Sequence, residues 1–195
     1  MNNKKYTTLA LVAVFSAVSF FSATSSAQDS SKSDAYVFLE AVKDRDYAKV
    51  KNYLQRGANV NRRGYDDGET AVYVAASLRD SVLMTFLINE DANPDIPVRS
   101  TGETPLMVAV RLKAQKVVTM LISGNADVNI GDRNGETALF KAVIANDRSS
   151  VKLLLEANAD WSIADNTGRT PLDLTLENRR LKQLGKILKD AGAEY

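Results

Sequence analysis

The sequence predicts an all-α solenoid of about five helix-turn-helix repeats. Two markers recur along the chain with the same period. A Gly-x-Thr phrase recurs at intervals of 34, 33 and 33 residues, beginning at Gly68, Gly102, Gly135 and Gly168. An alanine that closes a Leu/Ile-x-x-x-Ala phrase recurs at intervals of 34, 34 and 33 residues, at Ala58, Ala92, Ala126 and Ala159. Two independent markers with one period indicate stacked repeats, an architecture that serves binding far more often than catalysis.

The first 27 residues have the three-part pattern of a secretory signal peptide. Lys4 and Lys5 make a cationic start, an apolar stretch runs from about residue 9 to 21, and a small polar run ends at Ala27. Cleavage is expected after Ala27, with Ala23 as the second choice. An uncleaved anchor is the alternative, although the apolar stretch falls short of the roughly 20 residues that a spanning helix needs.

Polar residues 28–34 are predicted to be a flexible leader, and residues 35–195 hold the repeats.

The repeat that starts at Gly102 shows how each unit forms two helices. Thr104 is the expected N-cap and Pro105 the first helical residue. Apolar residues at helical spacing then mark a first helix and a second one, ending with Leu121 and Ile122. The Asp-, Asn- and Gly-rich stretch before the next repeat has turn composition.

This unit resembles the ankyrin repeat. The family's phrase appears as Gly102-Glu-Thr-Pro-Leu-Met-Val-Ala109, and its closing phrase as Ala126-Asp-Val-Asn129. The resemblance implies β-hairpin-like loops between helix pairs, and atypical units at both ends that face water on one side. It divides the chain into an N-terminal capping repeat at about 35–64, repeats at 65–98, 99–131 and 132–164, and a C-terminal capping repeat at 165–195.

Two departures from the family pattern bear on function. The position of the family's usual histidine holds Tyr73, Met107, Phe140 and Asp173. We expect apolar packing to replace the lost hydrogen bond, with a functional aromatic strip as the alternative. The two 34-residue intervals also predict one extra residue at each of two hairpin tips, near Gly64 and near Val98.

Composition excludes several classes of function. The net charge is +1, so no overall basic excess points to nucleic acid or an anionic membrane. Cysteine and histidine are both absent, which removes thiolate chemistry, the commonest metal ligands and the commonest general base. We therefore predict no catalytic residue, no metal and no cofactor. Asp66, Asp67 and Glu69 are read as turn acids, with a partner-binding acidic tip or a Ca²⁺ site as alternatives.

The resemblance places partner-binding residues on the hairpin tips and at the ends of the first helices. At the tips, Glu69, Glu103 and Glu136 are expected to form a row of negative charge, which ends towards the C-terminus. The other tip residues are Asp66, Asp67, Arg133 and Arg169. At the helix ends, Arg111 is joined by an apolar stripe of Leu78, Leu112 and Ile144, which is either exposed and functional or half-buried.

The resemblance implies a non-enzymatic protein-binding module, monomeric when free, without nucleic acid or stable membrane insertion after signal removal. With the signal peptide, it suggests a periplasmic inhibitor that protects its own cell by binding an exported enzyme such as a cell-wall peptidase. A structural or accessory scaffold, for example a partner of an antioxidant catalase, is the alternative. A host-directed effector is a further alternative, although a cleavable signal alone argues against direct injection. An enzyme would need a polar pocket, and nothing in the sequence supplies one.

Overall fold

A computed structural model of the protein describes residues 36–193. The predicted signal peptide and leader lie outside the described residues. The first helix, α1, covers residues 36–43. The others, in chain order, are α2 (Tyr47–Gln55), α3 (Ala71–Ser77), α4 (Ser81–Asn89), α5 (Pro105–Arg111), α6 (Gln115–Ser123), α7 (Ala138–Ile144), α8 (Arg148–Glu156), α9 (Pro171–Glu177) and α10 (Lys182–Asp190). A short 3-10 helix, Arg179–Leu181, precedes α10. Within the described range there is no strand, so the predicted all-α solenoid is confirmed.

Over residues 36–193 the ten α-helices form five pairs of an inner and an outer helix, and from α3 onward each inner helix has seven residues and each outer helix nine. Inner helices pack on inner helices along the stack, α3 on α5, α5 on α7 and α7 on α9. Outer helices pack likewise, α4 on α6 and α6 on α8. One continuous apolar core therefore runs through all five units, each of which buries its face on the next.

The Gly-x-Thr marker combines a turn residue with a helix cap. The glycine adopts a left-handed conformation that residues with a Cβ atom disfavour. Its φ lies between 73° and 84° at Gly68, Gly102, Gly135 and Gly168. Two residues later the threonine hydroxyl accepts a hydrogen bond from the backbone of the first turn, as from Met107 N to Thr104 at 3.3 Å. The marker is therefore structural in every unit that carries it.

The alanine marker ends the outer helix. In each unit its backbone N–H donates to the carbonyl five residues earlier, as from Ala126 to Leu121 at 3.0 Å. The residue before it, such as Asn125 (φ 61°), is left-handed, so the pair forms a Schellman-type C-cap. Ala126 is buried and packs within the hydrophobic core.

Small residues set the closest approach of the inner helices. Ala75, Ala109 and Ala142 are fully buried at equivalent positions, as their spacing suggests. The last unit has Thr175 there instead. It faces Gly185 of α10, where the Cβ of a larger residue would lie 2.5 Å from the Thr175 hydroxyl.

Apolar packing replaces the family's histidine in the middle of the stack. Met107 and Phe140 have no exposed surface. Tyr73 instead donates a hydrogen bond to Glu103 of the next unit at 3.2 Å, and Asp173 completes a capping box with Thr170. The alternative of a functional aromatic strip is therefore wrong.

Two of the outer helices, α6 and α10, lack a side-chain cap at their N-termini. Asp46, Asp80 and Asp147 accept backbone hydrogen bonds at the starts of α2, α4 and α8. Ala114 occupies the equivalent place before α6, and no side chain caps that helix. Arg79 lies beside Ala114, as Arg45 lies beside Asp80 at 3.6 Å.

Replacing Ala114 with Asp is expected to raise the free energy of unfolding by about 1 kcal/mol, because the carboxylate would satisfy N–H groups of the first turn. Chemical denaturation of the purified protein measures the gain. Ala114→Asn is the matched control for charge, since its amide oxygen also caps a helix. No gain from either variant would contradict this account of α6.

Asparagine and aspartate side chains link neighbouring units in the loops that follow the outer helices. Asn61 Oδ1 accepts from Asn93 N at 2.7 Å, and Asn129 Oδ1 accepts from Asp160 N at 2.8 Å. Asp95 takes the same role towards Asp127 N at 2.9 Å. Burial raises the pKa of Asp95, a carboxylate where the other units use a neutral amide.

Asp95→Asn is expected to stabilise the protein near neutral pH by about 0.5 kcal/mol. A raised pKa means that the folded state prefers the protonated carboxyl. The wild-type protein is therefore penalised as pH rises through that pKa, and below the ordinary pKa of aspartate the penalty is absent. Thermal unfolding of both proteins across acidic to neutral pH tests this. The two melting curves should converge in acid; a constant difference would contradict the prediction.

Candidate functional site

The hairpin tips and the ends of the inner helices share one side of the stack, which we call the tip face. Ion pairs join the two elements: Lys43 Nζ lies 3.5 Å from Glu69, Arg111 Nε lies 2.9 Å from Glu103, and Arg169 lies 3.9 Å from Glu177. The last residues of the inner helices on this face are Lys43, Ser77, Arg111, Ile144 and Glu177.

Each tip is hydrogen-bonded to the next, which makes the face rigid. The backbone N–H groups of Arg99, Arg133 and Asn166 donate to Asp67 O, Thr101 O and Asn134 O at 2.8, 2.9 and 2.8 Å. Within a tip, Gly64 N donates to Glu69 O and Val98 N to Glu103 O, whereas the later tips close one residue sooner. The predicted extra residue in the first two tips is thus confirmed.

The acidic residues of the first tip do not converge on a common point. Asp67 accepts from Ser100 N and Oγ at 2.7 and 2.6 Å, so it clamps the first tip to the second. Glu69 is paired with Lys43. Asp66 points to solvent. Among residues 36–193, no three acidic side chains are grouped to hold a metal ion.

The expected row of negative charge is wrong, because a cation neutralises each of its glutamates. Glu69 faces Lys43 as above. Glu103 is buried and accepts a bidentate pair from Arg111, with Nε at 2.9 Å and Nη2 at 3.1 Å. Burial, followed by the charge and hydrogen bond of Glu103, raises the pKa of the adjacent Tyr73 to about 12, so Tyr73 stays a neutral donor.

Glu136 belongs to a buried ion network. Lys141 Nζ lies 2.7 Å from Asp132 and also pairs with Glu136. The Lys141 side chain is 17% exposed and that of Asp132 only 4%. Burial opposes the charge of Lys141, yet hydrogen bonds to Asp132 and Glu136 raise its pKa. The equivalent residues of other units are Val74, Val108 and Leu174.

The two predicted basic tip residues also have structural partners. Arg169 is held by Asp165, with Nη2 at 2.9 Å from the carboxylate. Hydrogen bonds from Thr167 and then Arg169 keep the pKa of Asp165 well below its usual range. Arg133 donates to the carbonyl of Arg99 and is an exposed residue.

The apolar stripe is not continuous, because its members do not share one register. Leu78 and Leu112 are the C-cap residues of α3 and α5 and pack half-buried on the core. Their equivalent in the next unit is Ala145. Ile144 lies one residue earlier, in register with Ser77 and Arg111, and is 54% exposed. Of the three stripe residues, Ile144 therefore offers an apolar side chain to a partner, and the two leucines serve the fold.

A pocket of about 140 Å³ opens between α1 and the first tip. Tyr36 and Tyr65 line it with 57% and 53% of their surfaces exposed, and Asp66 adds an acidic wall. Sequence reasoning missed both tyrosines. The signal for Tyr65 was present, since it lies in the tip that carries an extra residue.

Of the predicted binding residues, Asp66, Arg133 and Ile144 are exposed, and Arg111 is exposed but paired with Glu103. Asp67, Glu103, Glu136 and Arg169 have partners within the fold. Over residues 36–193, no helix combines the length and apolarity that crossing a bilayer requires.

Comparison with known families agrees with the repeat architecture. Residues 38–132 match the family described as ankyrin repeats (3 copies), and residues 121–174 match the one described as ankyrin repeats (many copies). No match was found among curated proteins.

Proposed function

Because the chain belongs to the ankyrin-repeat family, whose members are generally non-enzymatic protein-binding modules, we propose that it binds another exported protein through the tip face. The observation that carries this proposal is the combination of a rigid face with a few exposed anchors. Tip-to-tip hydrogen bonds hold the backbone in place, while Tyr36, Tyr65 and Ile144 stay exposed. Tyrosines are enriched among residues that dominate binding energy, and a preorganised face loses little entropy on binding.

We further propose that the protein acts in the periplasm as an inhibitor of an exported enzyme such as a cell-wall peptidase. The signal-peptide pattern of residues 1–27 supports export. A rigid face with an aromatic pocket at one end is suited to covering the cleft of an enzyme. Cell fractionation, with intact-mass measurement of the periplasmic form, tests the location. A cytoplasmic, full-length product would contradict it.

The binding proposal is tested by capture from periplasmic extract with residues 28–195, followed by an activity assay of the captured enzyme. A Tyr65→Ala/Ile144→Asp variant should lose capture and keep its melting temperature. Val82→Asp is the matched control, since Val82 is 65% exposed on outer helix α4. Peptidoglycan hydrolysis by the partner should fall when the wild-type chain is added.

Two results would contradict this proposal. Capture that survives the tip-face variant and fails with Val82→Asp would place the interface on the outer helices. Capture without any change in the partner's activity would favour the accessory role, as for a catalase partner.

A further inference from the structure

Unpaired cations collect on the outer helices of the last two units, away from the tip face. The first and fifth residues of α8 are Arg148 and Lys152, and those of α10 are Lys182 and Lys186. All four are exposed. Within residues 36–193, no ion pair involves any of them, in contrast to Lys43, Arg111, Lys141 and Arg169.

The same positions in the middle units are uncharged. They hold Ser81 and Thr85 in α4 and Gln115 and Thr119 in α6. Like charges one helical turn apart destabilise a helix by a few tenths of a kcal/mol, and α8 and α10 are neighbours that pack together. This arrangement of like charges does not stabilise the two helices, and the net charge of +1 does not reveal it.

Three of these cations, Arg148, Lys152 and Lys186, line a shallow, open groove of about 350 Å³. Gln183 and half-buried Ile187 complete its lining, and Lys182 lies outside it at the start of α10. Arg179 and Arg180 are also exposed and directly precede α10. A shallow groove whose cations surround one half-buried apolar side chain suits an extended chain that carries carboxylates, whereas binding to a bilayer surface favours apolar side chains that protrude.

We propose that the groove between α8 and α10, the basic groove, is a second protein-binding surface that takes an acidic, extended segment of a partner. It is independent of the tip face. Because the cations are exposed, the attraction acts mainly on encounter and orientation, and it is screened by salt.

The test uses the purified full chain and a fluorescent poly-glutamate peptide, with binding followed by anisotropy. Binding is expected at low salt, with loss at about 1 M salt, where the screening length is about 3 Å. Lys152→Gln/Lys186→Gln should weaken it about tenfold or more. The matched control, Lys51→Gln/Lys116→Gln, makes the same change in net charge at exposed lysines outside the groove and should bind like wild type.

Equal weakening by both double variants would overturn the proposal, since net charge alone would then explain binding. So would absence of poly-glutamate binding, or preferential binding to phosphatidylglycerol vesicles or duplex DNA, which would assign the cations to a membrane or a nucleic acid. Capture of a partner through the tip face is measured separately with Tyr65→Ala/Ile144→Asp, so either surface can fail without the other.

Discussion

Replacing Lys141 with Met is expected to lower the free energy of unfolding by about 3 kcal/mol, because it leaves two largely buried carboxylates without their cation. Asp132 and Glu136 both pair with Lys141, and Asp132 is almost completely enclosed. Methionine fills a similar volume, so lost packing contributes little. Urea unfolding at about pH 7 measures the change, with Lys116→Met, at an exposed lysine of α6, as the control expected to stay within about 0.5 kcal/mol.

A further variant separates charge from packing. Combining Lys141→Met with Asp132→Asn and Glu136→Gln removes the two unpaired anions, so it should recover much of the deficit of Lys141→Met. An equal deficit in the single and triple variants would indicate that packing, rather than the ion network, stabilises the third tip.

Gly185→Ala is expected to destabilise the protein by about 2 kcal/mol, although glycine to alanine within a helix ordinarily stabilises by about 1 kcal/mol. The new Cβ would lie 2.5 Å from Thr175 Oγ1 and 3.1 Å from Thr175 Cβ. Thr175 cannot easily turn away, because its hydroxyl donates to Leu172 O at 2.8 Å inside the core. Thermal and chemical unfolding measure the loss.

The control is the double variant Thr175→Ala/Gly185→Ala. It restores the small residue found at Ala75, Ala109 and Ala142, so it should recover most of the stability that Gly185→Ala loses. The double-mutant cycle then has a favourable interaction energy of more than about 1 kcal/mol. Additive effects of the two changes would mean that α9 and α10 adjust by moving apart, and that their contact does not depend on this exchange of side chains.

Local sequence was sufficient wherever a residue acts within its own unit. Thr104 caps the helix that begins at Pro105, as predicted, and the alanine marker recurs where each outer helix ends, as Ala126 does after α6. The extra residue in the first two tips followed from the period alone. Each of these features depends on backbone geometry over a few residues, and a repeat shows that geometry several times.

The candidate site was predicted less well, because it depends on side chains that meet across units. Glu69, Glu103 and Glu136 read as a row of acids in the sequence, yet each has a different cation, from Lys43 of the preceding unit to Lys141 of its own. The apolar stripe failed for a related reason. Ile144 lies one residue before the position equivalent to Leu78 and Leu112. A shift of one residue along a helix changes the direction of a side chain by about 100°.

The sequence by itself determined the repeat, its number of units and its class, because a 33- to 34-residue period and its caps are local and repeated. Only the tertiary structure decided which charged side chains form ion pairs within the fold and which remain exposed to a partner. That division depends on how neighbouring units are offset when they stack. It buries Lys141 between two acids, leaves Tyr65 and Ile144 exposed on the tip face, and places four exposed cations on the neighbouring helices α8 and α10.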